Sequence, residues 1–295
     1  MKVTGFTFIR NALIYDYPIR EAILSVLPLC DDFVVAVGNS EDSTLELINK
    51  IGSPKIRIVE TIWDDSLREN GAVLALETNK ALRAITSDSD WCFYIQGDEV
   101  LEDGQVDLIR RAMEHYSKDS RVDGFLFNYH HFYGSYDYVG ASNSWYKHEI
   151  RIVRNLPTIY SFGDAQGFRK GDNEKLNVVA LPAHIHHYGW VKEPHAMQRK
   201  QLNFHKLWHD DAWMVSNIPD VDHFEYENHL KQVKLFEGRH PEVMTERIKA
   251  MNWKFKRDIS MERRTFKDRL KDALLLLGIN PNYANYRKIG KFSGQ

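Results

Sequence analysis

Two acidic residues close the run Gln96-Gly97-Asp98-Glu99, which directly follows an apolar segment from Trp91 to Ile95. Carboxylate oxygens suit Mg²⁺ or Mn²⁺, which bind one or two carboxylates and complete their shell with water or phosphate oxygens. Acids are also favoured at the start of a helix, where they cap the backbone and interact well with the helix dipole. The spacing alone leaves both interpretations of Asp98 and Glu99 open, a metal and phosphate site or a helix cap.

Three histidines lie in the segment Ala183-His184-Ile185-His186-His187-Tyr188-Gly189-Trp190. In a strand, alternation places His184 and His186 on one face and His187 on the other. One imidazole here could supply a third metal ligand, and a purely structural histidine cluster is the alternative. A zinc site built from these histidines is less favoured, because cysteine ligands are missing and the nearby acids prefer a harder ion.

A third group of polar residues follows in the middle of the chain. Arg151 and Arg154 could pair with phosphate or with a carboxylate, and a salt-bridged strand surface is the alternative. Glu149 or Asp164 could accept a proton from a hydroxyl group. For Asp164 the alternative is a turn residue beside Gly163.

Short apolar segments alternate with helical patterns in the first half of the chain, which predicts βαβ units and a mostly parallel sheet. The predicted strands are Val3 to Ile9, Phe33 to Val37, Lys55 to Glu60 and Trp91 to Ile95, and the predicted helices are Ile19 to Leu27, Thr44 to Ile48, Leu67 to Ile85 and Val106 to Tyr116. Ligands of such sheets bind beyond the carboxyl ends of the strands. The polar residues expected at this edge beside Gln96 to Glu99 are Arg10, Asn11, Asn39 and Asp42.

The second half of the chain changes character. Gly124 to Phe132, Glu149 to Val153 and Asn177 to Trp190 are predicted strands that add a second wall to the sheet, and helical patterns follow Glu193. The expected division is a catalytic domain over 1–192, with halves at 1–120 and 121–192, and a helical extension over 193–295. Within the extension, Met261 to Leu277 is amphipathic and basic. It suits an anionic membrane surface or, alternatively, packing of its leucines on the domain.

The composition is that of a globular protein and does not favour a nucleic-acid-binding or membrane-spanning protein. The chain has 295 residues, 43% hydrophobic and 27% charged, which is typical of a folded globular protein. A formal net charge of -2 gives no field that would recruit nucleic acid. No stretch approaches the roughly 20 apolar residues that a membrane span needs, and the two cysteines are expected to be buried free thiols. A cytoplasmic protein is expected, with peripheral contact at the inner face of the membrane as a further expectation.

The polar segments that follow the predicted strands, taken in their order along the chain, resemble those of glycosyltransferase family 2, whose members have the GT-A fold. The resemblance covers about Val3 to Trp190 and rests on four segments in sequence. These are Phe8-Ile9-Arg10-Asn11, Val37-Gly38-Asn39-Ser40-Glu41-Asp42-Ser43-Thr44, Asp90-Trp91 through Gln96-Gly97-Asp98-Glu99, and His187-Tyr188-Gly189-Trp190. The resemblance implies an α/β fold with a mixed, mostly parallel sheet flanked by helices. It also implies inverting transfer of a sugar from a nucleoside-diphosphate sugar to an acceptor hydroxyl, in glycan or cell-surface polysaccharide synthesis.

Roles for individual residues follow from the resemblance. Asp98 would bind Mg²⁺ or Mn²⁺ with His187 as a third ligand and His186 as the runner-up. Asp164 would be the catalytic base, with Glu149 as a second candidate. The donor nucleotide would contact Arg10, Asn11, Asn39, Asp42, Gln96, Gly97, Asp98 and Glu99. The acceptor would be a glycan or a lipid-linked sugar.

Two positions depart from the family pattern. Gly38 stands where the family often has an aspartate that reads the nucleobase, and Gln96 replaces the first acid of the metal motif. Two other classes of protein remain open from the sequence. A nucleotidyltransferase of sugar-nucleotide synthesis would ordinarily carry a glycine-rich basic loop after the first strand, which Phe8 to Ala12 lacks. A non-catalytic protein that binds nucleotide sugars or glycans is the other.

Overall fold

A computed structural model describes residues 1–142, 145–218, 221–229, 232–259 and 284–294 of the chain. The strands are β1 Val3–Ile9, β2 Asp32–Gly38, β3 Ile56–Thr61, β4 Trp91–Tyr94, β5 Glu99–Leu101, β6 Gly124–Tyr133, β7 Ser135–Gly140, β8 His148–Arg154, β9 Ile159–Phe162, β10 Gly167–Lys170, β11 Glu174–Lys175, β12 Asn177–Trp190, β13 Val233–Leu235 and β14 Arg287–Lys291. The α-helices are α1 Ile19–Val26, α2 Thr44–Asn49, α3 Ala72–Arg83, α4 Val106–His115, α5 Pro194–Lys206, α6 Asp211–Asn217 and α7 Thr245–Lys249, with 3₁₀ turns at Tyr226–His229 and Glu242–Met244.

Four parallel strands form the first half of the main sheet in the order β3-β2-β1-β4. β1 and β2 are apolar on both faces because helices cover both sides of the sheet, as is usual for parallel strands. One core packs Val3, Ile23 and Met113 together from β1, α1 and α4. The core on the other side includes Phe6 of β1 and Leu82 of α3. The two helix layers therefore hold the carboxyl ends of β1, β2 and β4 at one edge.

The second half of the sheet is mixed. β8 joins it antiparallel to β4, β6 runs antiparallel to β8, and the long strand β12 lies parallel to β6. β5 pairs antiparallel with β12, so the segment after β4 is held against β12. A separate small sheet has the order β11-β10-β9.

The predicted fold class is confirmed: a mixed sheet with a parallel block is flanked by helices. The long helix expected over Leu67 to Ile85 begins later, at Ala72, because Asn70 and Gly71 have φ of 49° and 67° and cannot continue a right-handed helix. The chain after Glu193 is helical only in part, since β13 pairs with β7 and β14 with β12. The division into domains stays a prediction, and the basic segment Met261 to Leu277 lies outside the described residues.

Two smaller expectations can also be compared with the structure. Cys30 and Cys92 are buried and free, and burial raises the pKa of both thiols to about 12. In the part of the chain that the structure describes, no helix combines the length and apolar character that crossing a bilayer requires.

Candidate functional site

A cavity of about 770 Å³ opens at the carboxyl ends of β1 and β4 and extends under α5. Its polar lining includes Arg10, Gln96, Gly97, Asp98, Asp164, His187 and Lys200. Its aromatic lining includes Phe8, Tyr15, Tyr17, Trp63, Tyr146, Trp190 and Phe224. A concave, largely aromatic site with a few converging charged groups is typical of a small-molecule binding site.

Asp98 lies in the wall of this cavity with only 11% of its side chain exposed. Its Oδ2 accepts a hydrogen bond from Nζ of Lys200 at 3.0 Å, and its Oδ1 lies 3.7 Å from Nε2 of His187. Burial favours the protonated carboxyl, but the ammonium group of Lys200 outweighs burial and holds the pKa of Asp98 well below its usual range. Asp98 is therefore a carboxylate at all physiological pH values.

The backbone around Asp98 is fixed by β12. The amide of Tyr188 donates to the carbonyl oxygen of Asp98 at 2.8 Å. Gly189 allows β12 to approach the turn that carries Asp98: a Cβ atom there would lie 2.7 Å from Oδ2 of Asp98 and 2.7 Å from Cε1 of His187. The glycine thus keeps the carboxylate and the imidazole next to each other.

A second histidine sets the orientation of His187. Nε2 of His131 lies 2.7 Å from the carbonyl oxygen of Tyr146, so it carries the proton and donates it there. Burial lowers the pKa of His131 well below its usual value, so its Nδ1 is left as an acceptor, 3.1 Å from Nδ1 of His187. Nδ1 of His187 must then donate, which leaves the lone pair of Nε2 directed at Asp98. An imidazole lone pair beside a carboxylate is the arrangement that a divalent cation satisfies.

Glu99 was expected to contact the donor, but its side chain is fully buried against the sheet and does not line the cavity. Arg151 donates to its two carboxylate oxygens at 2.6 and 2.7 Å, and both side chains are 0% exposed. Glu99 also accepts from the amide of Gln96 at 3.1 Å and from the hydroxyl of Tyr129 at 2.8 Å. Its role is to fix the turn that presents Asp98.

Gln96 lines the cavity and connects two of its walls. Its Nε2 donates to the carbonyl oxygen of Ala165 at 3.2 Å and lies 3.3 Å from the hydroxyl of Tyr94. Ala165 follows Asp164 in the turn between β9 and β10, where Gly163 and Ala165 both have positive φ. Burial raises the pKa of Asp164, which lines the same cavity. Gln96 therefore places the Asp164 turn relative to Asp98.

Besides Glu99, three of the predicted donor-binding residues do not line the cavity. Their side chains brace the loops after β1 and β2. Asn11 accepts from the amide of Glu41 at 2.7 Å, and Asn39 accepts from the amide of Trp63 at 3.1 Å. Asp42 accepts from the amides of Leu13 and Ile14, both at 2.9 Å. Short polar side chains commonly act in this way in turns, so residue type alone did not separate bracing from binding.

Arg10 and the second arginine of β8 have different surroundings. Arg10 lines the cavity, and its guanidinium pairs with Asp65 and donates to the carbonyl oxygen of Asn39 at 3.2 Å. Arg154 does not line the cavity. It donates to carbonyl oxygens at the end of α4, including those of Tyr116 at 2.6 Å and Asp119 at 2.8 Å. It therefore caps the helix, a use that neither earlier interpretation included.

Glu149, the second candidate base, is 6% exposed and does not line the cavity. Its Oε2 has no hydrogen-bond partner among the residues that the structure describes. Burial raises its pKa to about 8, so the carboxyl group is largely protonated near neutral pH. Of the two candidate bases, Asp164 lines the cavity and Glu149 does not.

Sequence reasoning did not identify two lysines: Lys200, which lines the cavity, and Lys192, which is buried and contacts the lining residue Tyr17. Lys200 on α5 binds Asp98, and it also donates to the carbonyl oxygen of Gly189 at 2.8 Å. Lys192 is fully buried, donates to the carbonyl oxygen of Asp16 at 2.6 Å and lies 4.5 Å from the ring of Tyr17. Lys192 lies two residues after the histidine segment, and this closeness in sequence could have marked it as a neighbour of the site. Lys200 comes close to Asp98 only because α5 packs over the cavity, which the sequence does not indicate.

No known family profile matches the sequence, and no curated protein sequence matches it. Among solved structures, TarS residues 1–349 of S. aureus in complex with UDP is 17% identical over 49% of this chain and 39% of that chain, with a TM-score of 0.35. TarS of S. aureus is 14% identical over 75% of this chain and 41% of that one, with a TM-score of 0.41. Glucosyl-3-phosphoglycerate synthase of Mycobacterium tuberculosis, with Mn²⁺, UDP and phosphoglyceric acid, is 14% identical over 44% and 43%, with a TM-score of 0.30. The chain spans less than half the length of each of these structures, and the similarity is confined to parts of the fold.

Replacing Glu99 with glutamine should lower the free energy of unfolding by about 3–5 kcal/mol, because Arg151 would be left buried and unpaired. Chemical denaturation monitored by circular dichroism measures this change. The matched control is Glu246→Gln, which breaks an ion pair whose side chains are 68% and 85% exposed. The control should change stability by less than about 1 kcal/mol. Equal effects of the two variants would contradict the structural role of Glu99.

Replacing Glu149 with glutamine should change how stability depends on pH. An ordinary glutamate has a pKa of about 4.3, and the folded value of about 8 means that the native state holds its proton longer than the unfolded chain. The native protein therefore loses stability as the pH rises from about 4.3, the pKa in the unfolded chain, through about 8, the pKa in the folded protein. Glu149→Gln should match the parent at low pH and exceed it by a few kcal/mol above pH 8, measured by denaturation across pH. The exposed-site variant Glu114→Gln serves as control, and a stability curve of Glu149→Gln that runs parallel to the parent at every pH would refute the prediction.

Proposed function

We propose that this chain transfers a sugar from a nucleoside-diphosphate sugar to an acceptor hydroxyl, with inversion at the anomeric carbon. The observation that carries the proposal is one cavity at the carboxyl edge of the sheet. It holds a carboxylate oxygen of Asp98 3.7 Å from Nε2 of His187, and a carboxyl group with a raised pKa, Asp164. The strand order and the resemblance to glycosyltransferase family 2 support the same interpretation. Inversion follows from the resemblance.

Asp98 and His187 would hold the Mg²⁺ or Mn²⁺ ion, because a carboxylate oxygen and an imidazole lone pair face each other across 3.7 Å. A bound divalent ion would neutralise the charge of the departing diphosphate. Lys200 already places an ammonium group on the other oxygen of Asp98, so part of the positive charge is supplied by the protein itself. Fixed charge of this kind needs no reorganisation during the reaction.

The acceptor side of the proposal rests on Asp164. Its carboxylate takes the proton of the acceptor hydroxyl while that oxygen forms a bond to the anomeric carbon, and the bond from this carbon to the diphosphate oxygen breaks. A raised pKa strengthens the carboxylate as a base. Because Gln96 bonds the Asp164 turn, a single residue couples the donor side of the cavity to the acceptor side.

The nucleoside would lie against the aromatic part of the lining. Trp63 fills the space beside Gly38, where an added Cβ would lie 2.3 Å from the indole Nε1. Arg10 lies 5.6 Å from the Trp63 ring and holds it at the cavity wall. A flat aromatic surface thus takes the place of the aspartate that reads the base in many family members, which favours stacking over hydrogen-bond readout.

The acceptor class and the cellular site extend the same proposal. A glycan or lipid-linked acceptor, a place in polysaccharide synthesis and a cytoplasmic location with peripheral membrane contact follow from the family resemblance and the basic C-terminal segment. Co-sedimentation of the full chain with vesicles of anionic and of neutral lipid tests the membrane part.

Replacing Asp164 with asparagine should lower kcat by at least about 100-fold, because a general base contributes that much or more. The donor KM should change little, since Asp164 lies on the acceptor side. The parent should also lose activity on acidification at a pH above the ordinary aspartate range, because the required carboxylate is protonated below its raised pKa. Release of nucleoside diphosphate from the active donor measures both. Asp172→Asn, an exposed change on the neighbouring turn, should behave as the parent, and full activity of the Asp164→Asn enzyme would remove the assignment.

Replacing Asp98 with asparagine should reduce donor turnover by about 100- to 1,000-fold, because a preorganised charge at the leaving group is lost. The same variant should no longer respond to added Mn²⁺. The assay screens UDP-, GDP-, dTDP- and CMP-sugars for slow hydrolysis with and without Mn²⁺, and Glu114→Gln is the charge-matched control. Unchanged turnover and an unchanged response to Mn²⁺ would rule out the metal and diphosphate role of Asp98.

A further inference from the structure

A second group of histidines lies on the face of the sheet opposite the cavity. β12 and β6 run side by side with His186 paired to His130 and His187 paired to His131. Because side chains alternate along a strand, His187 and His131 face the cavity while His186 and His130 face away from it. Glu102 follows β5 on this second face, and its amide donates to the carbonyl oxygen of His184 at 3.1 Å. The side chains of Glu102, His130, His184 and His186 do not line the cavity.

The ligand atoms of this group are close enough to share one ion. One oxygen of Glu102 and one ring nitrogen each of His130 and His186 lie within 4.8 Å of one another. Nε2 of His186 is 3.8 Å from Oε2 of Glu102, and Nδ1 of His184 is 3.5 Å from the same oxygen. His184 stacks on His130 with ring centroids 5.0 Å apart.

A chain of hydrogen bonds fixes the tautomer of His186. Nε2 of His240 donates to the carbonyl oxygen of Tyr136 at 3.1 Å, which leaves Nδ1 of the neutral ring as an acceptor. The hydroxyl of Tyr188, 2.9 Å away, must donate to that nitrogen. Its oxygen is then the acceptor for Nδ1 of His186 at 3.2 Å. The proton of His186 is therefore on Nδ1, and the lone pair of Nε2 faces Glu102.

The free lone pair of His186 is buried and unsatisfied. The residue is 1% exposed, and its Nε2 has no hydrogen-bond partner in the described part of the chain. An acceptor that is buried without a donor, next to a carboxylate that is also an acceptor, is costly. A bound cation would satisfy the imidazole and the carboxylate together.

We propose that Glu102, His130 and His186 bind a transition-metal cation of the Zn²⁺ type. Two imidazoles and one carboxylate are a donor set that suits Zn²⁺, whereas Mg²⁺ and Ca²⁺ prefer oxygen ligands alone. The Tyr188 and His240 relay supplies the outer hydrogen bonds that orient a metal-binding imidazole. The site differs from the Asp98 pair in position and in chemistry.

Through Glu102, His130 and His186, the metal would link the end of β5 to β6 and β12, the strands next to the turn that carries Asp98. Glu102 is 39% exposed and also lines a surface depression of about 340 Å³ together with Asp103 and Glu242. Because the ion binds the folded state, it would raise the stability of the chain in proportion to its affinity.

The test is Zn²⁺ binding to the full chain after chelator treatment, measured by calorimetry and by Co²⁺ absorption spectra. The parent should bind one equivalent at this site and melt at a higher temperature with Zn²⁺. Glu102→Gln and His130→Asn should each weaken binding at least about tenfold, and Tyr188→Phe should weaken it about tenfold while keeping every ligand. Glu102 is 39% exposed, so its variant tests the site without opening the core.

The controls separate this site from others. His195→Gln removes an exposed histidine elsewhere and should leave Zn²⁺ affinity unchanged. Asp98→Asn removes a ligand of the cavity site and should leave the equivalent bound by Glu102, His130 and His186 unchanged. Binding that survives in both Glu102→Gln and His130→Asn, or that disappears in Asp98→Asn, would overturn the proposal. Failure of the chelated parent to take up Zn²⁺ or Co²⁺ would overturn it as well.

Discussion

The buried ion pair between Glu99 and Arg151 is the constraint on which the rest of the site depends. Two charges at 0% exposure are tolerated because both carboxylate oxygens and the guanidinium are bonded, including bonds from the amide of Gln96 and the hydroxyl of Tyr129. The pair links β8 to the turn that follows β4, and this link fixes the conformation of the turn. Asp98, the residue between Gly97 and Glu99, is then held in the cavity wall, where its carboxylate bonds Lys200 and faces His187.

β12 serves both faces of the sheet. On the cavity face, His131 directs the lone pair of His187 at Asp98, and on the other face Tyr188 directs the lone pair of His186 at Glu102. Both arrangements arise because consecutive residues of one strand point to opposite sides. The adjacent histidines of β6 and β12 thus contribute to two different groups of polar side chains. One contains an aspartate paired with a lysine, and the other consists mainly of imidazoles.

Much of the fold was predictable because strands β1 to β4 are short, apolar and separated by helical patterns. The position of Asp98 after β4 and the opposite faces of His186 and His187 followed from the same patterns. The partner of Glu99 could not be predicted, because Arg151 is 52 residues away in sequence. An acid next to Asp98 also has the same sequence pattern whether it contacts a ligand or holds the turn in place. The bracing contacts of Asn11, Asn39 and Asp42 were missed for that reason. Lys200 required knowing where α5 packs, which no local pattern gives, and β14 joins the sheet from the end of the chain.

The central claim is that the cavity binds a nucleoside-diphosphate sugar through its diphosphate. Thermal denaturation of the full chain across UDP-, GDP-, dTDP- and CMP-sugars, with and without Mn²⁺, tests it most directly. A ligand that binds only the native state raises the melting temperature in proportion to its affinity. We expect the melting temperature to rise with sugars of one nucleoside diphosphate, and to rise more with Mn²⁺ than without it. Equal melting temperatures across the whole panel, in the presence and absence of Mn²⁺, would contradict it.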